Sequence, residues 1–122
     1  MASVLIVESD PAFRLYVQVV FRDAGHRVTC VGDADQALTM LATNRFDLAI
    51  VGELTTTGAV GIAKARADLS IATRTRVVLH TSESSITAEV DAHELDVDVL
   101  PMPARPAELL ALTSLGSGLE LV

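Results

Sequence analysis

Three oxygen-bearing side chains, Glu8, Ser9 and Asp10, stand directly after the apolar run Val4-Leu5-Ile6-Val7. Carboxylates gathered at one point suit Mg²⁺, a hard cation that takes oxygen ligands in near-octahedral geometry. Asp10 precedes Pro11, however, and that pair marks a helix start, with Asp as the cap and Pro at the first helical position. The cap commits the Asp10 carboxylate locally and leaves Glu8 as a lone, weak Mg²⁺ candidate. Thr81 ends another apolar run, Arg76-Val77-Val78-Leu79-His80. Its hydroxyl suits either a phosphoryl oxygen or the local backbone of a turn. Met102 reads as a core filler. The Met102-Pro103 bond sits in a turn of the kind that retains cis-proline.

Other chemistries find little support. No Gly-x-Ser-x-Gly elbow exists, and no base is paired to a nucleophile. Neither a G-x-G-x-x-G nor a P-loop pattern occurs. Cys30, inside a predicted strand, reads as an inert core thiol. His26 follows Gly25 in a turn, His80 sits at a strand end beside Thr81, and His93 falls on a polar helix. Three histidines so separated do not make a zinc site.

The elements that must position these residues alternate regularly. Val4 to Val7 is an unbroken apolar run, as in a strand buried on both faces. Phe13, Tyr16, Val17, Val20, Phe21 and Ala24 recur at helical spacing, and Gly25 predicts a left-handed cap. Arg27 to Val31 is a second strand. Asp33 with Gln36 resembles a capping box, ahead of Ala34, Ala37, Leu38 and Leu41 on one helix face. Leu48 to Val51 is a third strand, followed by a loop from Gly52 to Gly58. A helix is predicted within about 59–69, a strand over Arg76 to His80 and a polar helix over about 86–94. Val97 to Leu100 is a short fifth strand. Pro101, Pro103 and Pro106 crowd the next turn, and Leu109, Leu110 and Leu112 mark a last helix. Strand-then-helix, repeated, predicts an α/β fold with a parallel sheet wrapped on both sides. Ligands of such sheets bind beyond the carboxyl ends of the strands, which is where Glu8, Ser9, Asp10, Gly52, Glu53, Thr81, Ser82, Met102 and Pro103 fall.

The 122 residues suit one domain with a real core. Half of them are hydrophobic and a fifth charged, which excludes a disordered chain. No apolar run approaches the ~20 residues that span a bilayer, and no signal peptide is visible. A single cysteine excludes an internal disulfide framework and fits a cytoplasmic location. With 16 acidic against 9 basic residues, net −7, the chain lacks the basic face of a nucleic-acid binder.

Taken together, these residues resemble the receiver domain of two-component response regulators over nearly the whole length. Val4 to Pro11 is similar to that family's opening strand and acidic cluster, and Gly25 to Val28 to the turn into its second strand. Phe46 to Val51 resembles the strand leading to its phosphoacceptor. Val77 to Ser82 resembles the strand ending in its switch Thr, and Leu100 to Glu108 its Lys-Pro turn and following helix. The resemblance implies a doubly wound (βα)5, flavodoxin-like fold of strand order 2-1-3-4-5. It implies a receiver-like domain over 1–115, with a flexible tail over 116–122.

The family accepts a phosphoryl group on Asp, from a histidine kinase, with Mg²⁺. Against its pattern Gly52 stands at the acceptor position and Met102 at that of the phosphate-contacting Lys. Glu8 and Ser9 replace the Mg²⁺ carboxylate pair, and Val99 the aromatic switch residue; Thr81 is retained. The expectation is an atypical receiver, not an enzyme, with no cofactor and doubtful Mg²⁺ binding. It would act through protein partners such as a histidine kinase or phosphotransfer protein. A homodimer would use the fourth-helix, fifth-strand, fifth-helix face, which Glu89, Asp91, Glu94, Asp96 and Asp98 make acidic. The alternatives are a conventional phosphoaccepting receiver with an altered site, and a small-ligand sensor using the pocket vacated beside Gly52.

Overall fold

The five apolar runs pair into one parallel sheet. In a computed structural model, which describes residues 1–52, 75–81, 98–101 and 104–116, the strands are β1 (Ser3–Val7), β2 (Arg27–Val31), β3 (Leu48–Val51), β4 (Arg76–Thr81) and β5 (Asp98–Pro101). Their spatial order is β2-β1-β3-β4-β5, with every pairing parallel. Val7 lies opposite Val31 and Val51, and Leu79 opposite Val51 and Val99. Three helices are described: α1 (Pro11–Asp23), α2 (Ala34–Thr43) and α3 (Pro106–Gly116). The α/β class and the strand order match the expectation.

Period-two alternation sorts the strand side chains onto two faces. Leu5, Val7, Ala49, Val51, Val77 and Leu79 join Ala37 and Leu41 of α2 in one core layer. Val4, Ile6, Leu48, Ile50 and Val78 join Val17 and Phe21 of α1 and Leu109 and Leu112 of α3 in the other. Because Val4 to Val7 of β1 and all of β3 are apolar, these strands occupy the middle of the sheet, where both faces are covered.

The helix ends follow their local sequences. Asp10 accepts from the Ala12 N–H at 2.8 Å, ahead of Pro11. At the other end of α1, Gly25 has φ +90°. The Gly25 N–H donates to the Arg22 carbonyl (2.9 Å) and the His26 N–H to the Phe21 carbonyl (3.1 Å). These are the two bonds of a Schellman cap, and the Phe21–His26 ring contact at 6.0 Å supplies its hydrophobic closure. Asp33 caps α2 through the Gln36 N–H, at 2.8 Å. Gln36 returns its own carbonyl to the Gly32 N–H at 3.1 Å, one residue before the cap. Glu108 reaches back to the Arg105 N–H at 2.9 Å, the reciprocal half of a capping box around Pro106.

Four boundaries differ from the sequence reading; β4 runs one residue further than expected, to Thr81. Ser3 joins β1. The fifth strand is Asp98–Pro101 instead of Val97–Leu100; Pro101, read as a turn residue, sits on an edge strand, where a missing N–H breaks no central ladder. Gly116, assigned to the tail, belongs to α3. The helices expected at 59–69 and 86–94, the 53–58 loop and the 117–122 tail lie outside the described residues. So do Glu53, Ser82, His93, Met102 and Pro103.

Candidate functional site at the carboxyl edge of the sheet

The site is assembled where β1 and β3 end side by side. The ladders continue one residue past both strands: the Gly52 N–H donates to the Val7 carbonyl (2.7 Å) and the Glu8 N–H to the Val31 carbonyl (3.1 Å). Glu8 and Gly52 are therefore the next neighbours after the Val7–Val51 pair. Glu8 is only 2% exposed, although it ends a strand at the rim. Its carboxylate lies over Gly52. A Cβ placed on Gly52 would overlap Glu8 Oε1 and would stand 2.6 Å from Cδ and 3.3 Å from Oε2. The Asp10 N–H holds Oε2 at 3.0 Å, and Arg14 Nη1 donates to the Glu8 carbonyl at 3.1 Å.

The Glu8 head thus lies where a residue-52 side chain would begin. The residues do not fit a Mg²⁺ site. Glu8 is turned over Gly52, the Asp10 carboxylate serves the Ala12 N–H, and the residue after the third strand is glycine. Among the described residues no three His, Cys, Asp or Glu gather closely enough to hold a metal.

On the same edge, Thr81 closes β4 opposite Pro101, and Val99 pairs with Leu79. His80, next to Thr81, is fully buried. Its Nε2 accepts from the Ala104 N–H at 3.0 Å, so the neutral ring carries its proton on Nδ1, which has no hydrogen-bond partner among the described residues. Burial pushes the imidazole below its ordinary value of 6.5. The Ala104 carbonyl in turn accepts from the Tyr16 hydroxyl at 2.7 Å. The residue just past Met102-Pro103 is thus gripped from β4 and from α1. Sequence reasoning singled out His80 for its place at a strand end but counted Tyr16 only as core. The Tyr16–Ala104 pair is separated by 88 residues in the chain, and no local pattern signals it.

Two further expectations concern groups away from this edge. The His26 Nδ1 accepts from the Ala2 N–H at 2.9 Å, a structural role in the turn after α1. Cys30 is half-buried on the edge strand β2. Burial raises its thiol pKa, against smaller opposing effects of Arg22 and Arg14, so the thiol stays protonated and inert.

No protein-family model matches the sequence, and no curated protein matches it. Solved structures do. The receiver domain of the sensor histidine kinase PA1611 from Pseudomonas aeruginosa, whose crystal structure has magnesium in the active-site cleft, superposes with a TM-score of 0.83 at 21% identity, over 96% of this chain and 98% of that one. The chemotaxis response regulator CheY4 of Vibrio cholerae gives 0.82 at 25% identity, over 95% and 98%. A CheY-like receiver domain protein from Methanospirillum hungatei gives 0.76 at 18% identity, over 98% and 97%. With this strand order, these helices and these structural neighbours, the chain has the receiver-domain fold of response regulators.

Proposed function

We propose that this chain is a receiver domain of two-component or phosphorelay signalling that acts by protein–protein contact and does not accept a phosphoryl group. Gly52 carries the reading. It follows β3 at the position where receivers bear their acceptor Asp, and glycine offers no oxygen nucleophile. Phosphoryl transfer is otherwise a matter of positioned charge. Here Met102 brings a neutral thioether where the resembled family has Lys, and Ser9 removes one carboxylate of the Mg²⁺ pair. The chain is accordingly read as a binding module with no catalysis of its own.

The surface that favours such a role is the outer face of α1. Leu15 and Val19 are 59% and 45% exposed and, four residues apart, lie on one helical stripe. An apolar stripe on a surface helix suits a helical partner, such as a histidine kinase or phosphotransfer protein. A homodimer through the β5 and last-helix face is the second contact such a fold offers; the acidic residues of that region, Glu89, Asp91, Glu94 and Asp96, lie outside the described residues. Among those described, no helix is long and apolar enough to cross a membrane. A cytoplasmic setting suits the free thiol.

Intact-mass measurement after incubation with acetyl phosphate and Mg²⁺ tests the reading. The expected result is an unchanged mass. A gain of one phosphoryl group would restore the conventional receiver.

A further inference from the structure

We propose that Glu8 is a fixed internal occupant of the acceptor position, so that the cleft is closed by the chain's own carboxylate instead of standing open to a phosphoryl group or small ligand; this rests on the reading of Gly52 given above. Three observations carry it. Glu8 is 2% exposed, although an ionised carboxylate is costly to bury. Its head lies where a residue-52 side chain would begin, close enough that even a methyl group there would overlap Oε1. The head is also anchored, since Oε2 takes the Asp10 N–H. That bond ties the carboxylate to the cap of α1, and Arg14 separately holds the Glu8 backbone carbonyl. One side chain thus does two things. It fills the space left by glycine, and it fixes the start of the helix whose outer face bears Leu15 and Val19.

Glycine at 52 is then a requirement of Glu8 and not only the loss of an aspartate. A glycine-to-alanine change in extended backbone ordinarily stabilises slightly, because it restricts the unfolded chain. With Glu8 in place, Gly52→Ala must instead push a held carboxylate out of its seat.

The test is a thermal-unfolding cycle on the full chain: wild type, Gly52→Ala, Glu8→Ala and Glu8→Ala/Gly52→Ala. The expected result is that Gly52→Ala lowers the midpoint by roughly 5–10 °C in the wild-type background. In the Glu8→Ala background the same change leaves the midpoint unaltered or raises it. Glu8→Asp, shorter by one methylene, supplies a second background if Glu8→Ala does not fold, and there the penalty must shrink. Equal effects of Gly52→Ala with and without Glu8, or no effect on the wild type, would overturn the proposal. The two readings fail separately. A flat cycle with no phosphoryl mass gain removes the occupant and leaves the phosphorylation-independent receiver, whereas a mass gain removes the latter whatever the cycle shows.

Discussion

The two ends of the sheet are held together in different ways. At the amino end the bonds are spread out, each between one side chain and one backbone group. His26 takes the Ala2 N–H, Asp47 takes the Ser3 N–H at 2.8 Å, Thr75 donates to the Phe46 carbonyl at 2.7 Å and Arg76 donates to the Leu112 carbonyl at 3.2 Å. At the carboxyl end the contacts converge. His80 and Tyr16 bond the same residue, Ala104, at its N–H and its carbonyl, and Glu8 sits on Gly52. Separate contacts add, whereas contacts sharing a partner couple. The amino end therefore tolerates changes one at a time. At the carboxyl end the bonds of His80 and Tyr16 share Ala104 and should couple.

Removing His80 breaks that pair of bonds most severely. His80→Ala deletes a fully buried ring and leaves the Ala104 N–H without its acceptor, an expected loss of about 3 kcal/mol in chemical denaturation. A variant within a few tenths of wild type would show that Ala104 is held by other means.

Acid acts on the same bond. His80 is neutral in the fold, with its pKa below 6.5. The unfolded chain binds the proton first, so stability rises with pH in this window. The contribution is complete above about 6.5 and is lost as pH falls from there through the lower folded-state value. Unfolding midpoints measured across that range should decline toward acid, and His80→Gln, which does not titrate there, should flatten the His80 part of the decline.

Tyr16→Phe keeps the ring and removes one hydrogen bond to the Ala104 carbonyl, for about 1 kcal/mol. Combined with His80→Ala its effect should be smaller than on the wild type, because Ala104 has already lost one of its two grips. Strict additivity would mean that the two grips are independent. At the amino end Asp47→Ala, at an exposed bond, should cost less than about 1 kcal/mol. With His26→Ala it should add, having no shared partner; coupling there would erase the contrast between the two ends.

Much of the fold was legible because its rules are local. Unbroken apolar β1 and β3 announce central parallel strands, and Asp10-Pro11, Asp33-Gln36 and Gly25 mark helix ends through backbone bonds a few residues long. Proline misled at β5, where Pro101 reads as a turn but an edge strand accepts it. The strand-end rule located Glu8, Gly52 and Thr81 at one rim. It did not show that Glu8 lies over Gly52. Period two says which face a side chain leaves from, and not where a glutamate with three torsions then lies. The hydrogen bond of His80 was hidden for a related reason: its partner, Ala104, is remote in the chain.

Backbone amide NMR spectra recorded without additions, with Mg²⁺, and with Mg²⁺ plus beryllofluoride as a phosphoryl mimic test the central claim most directly. A site already filled by Glu8 predicts amide signals of Glu8, Gly52 and Thr81 that stay in place through all three. Saturable shifts of those signals would show that the cleft still takes a phosphoryl group, and would contradict the account.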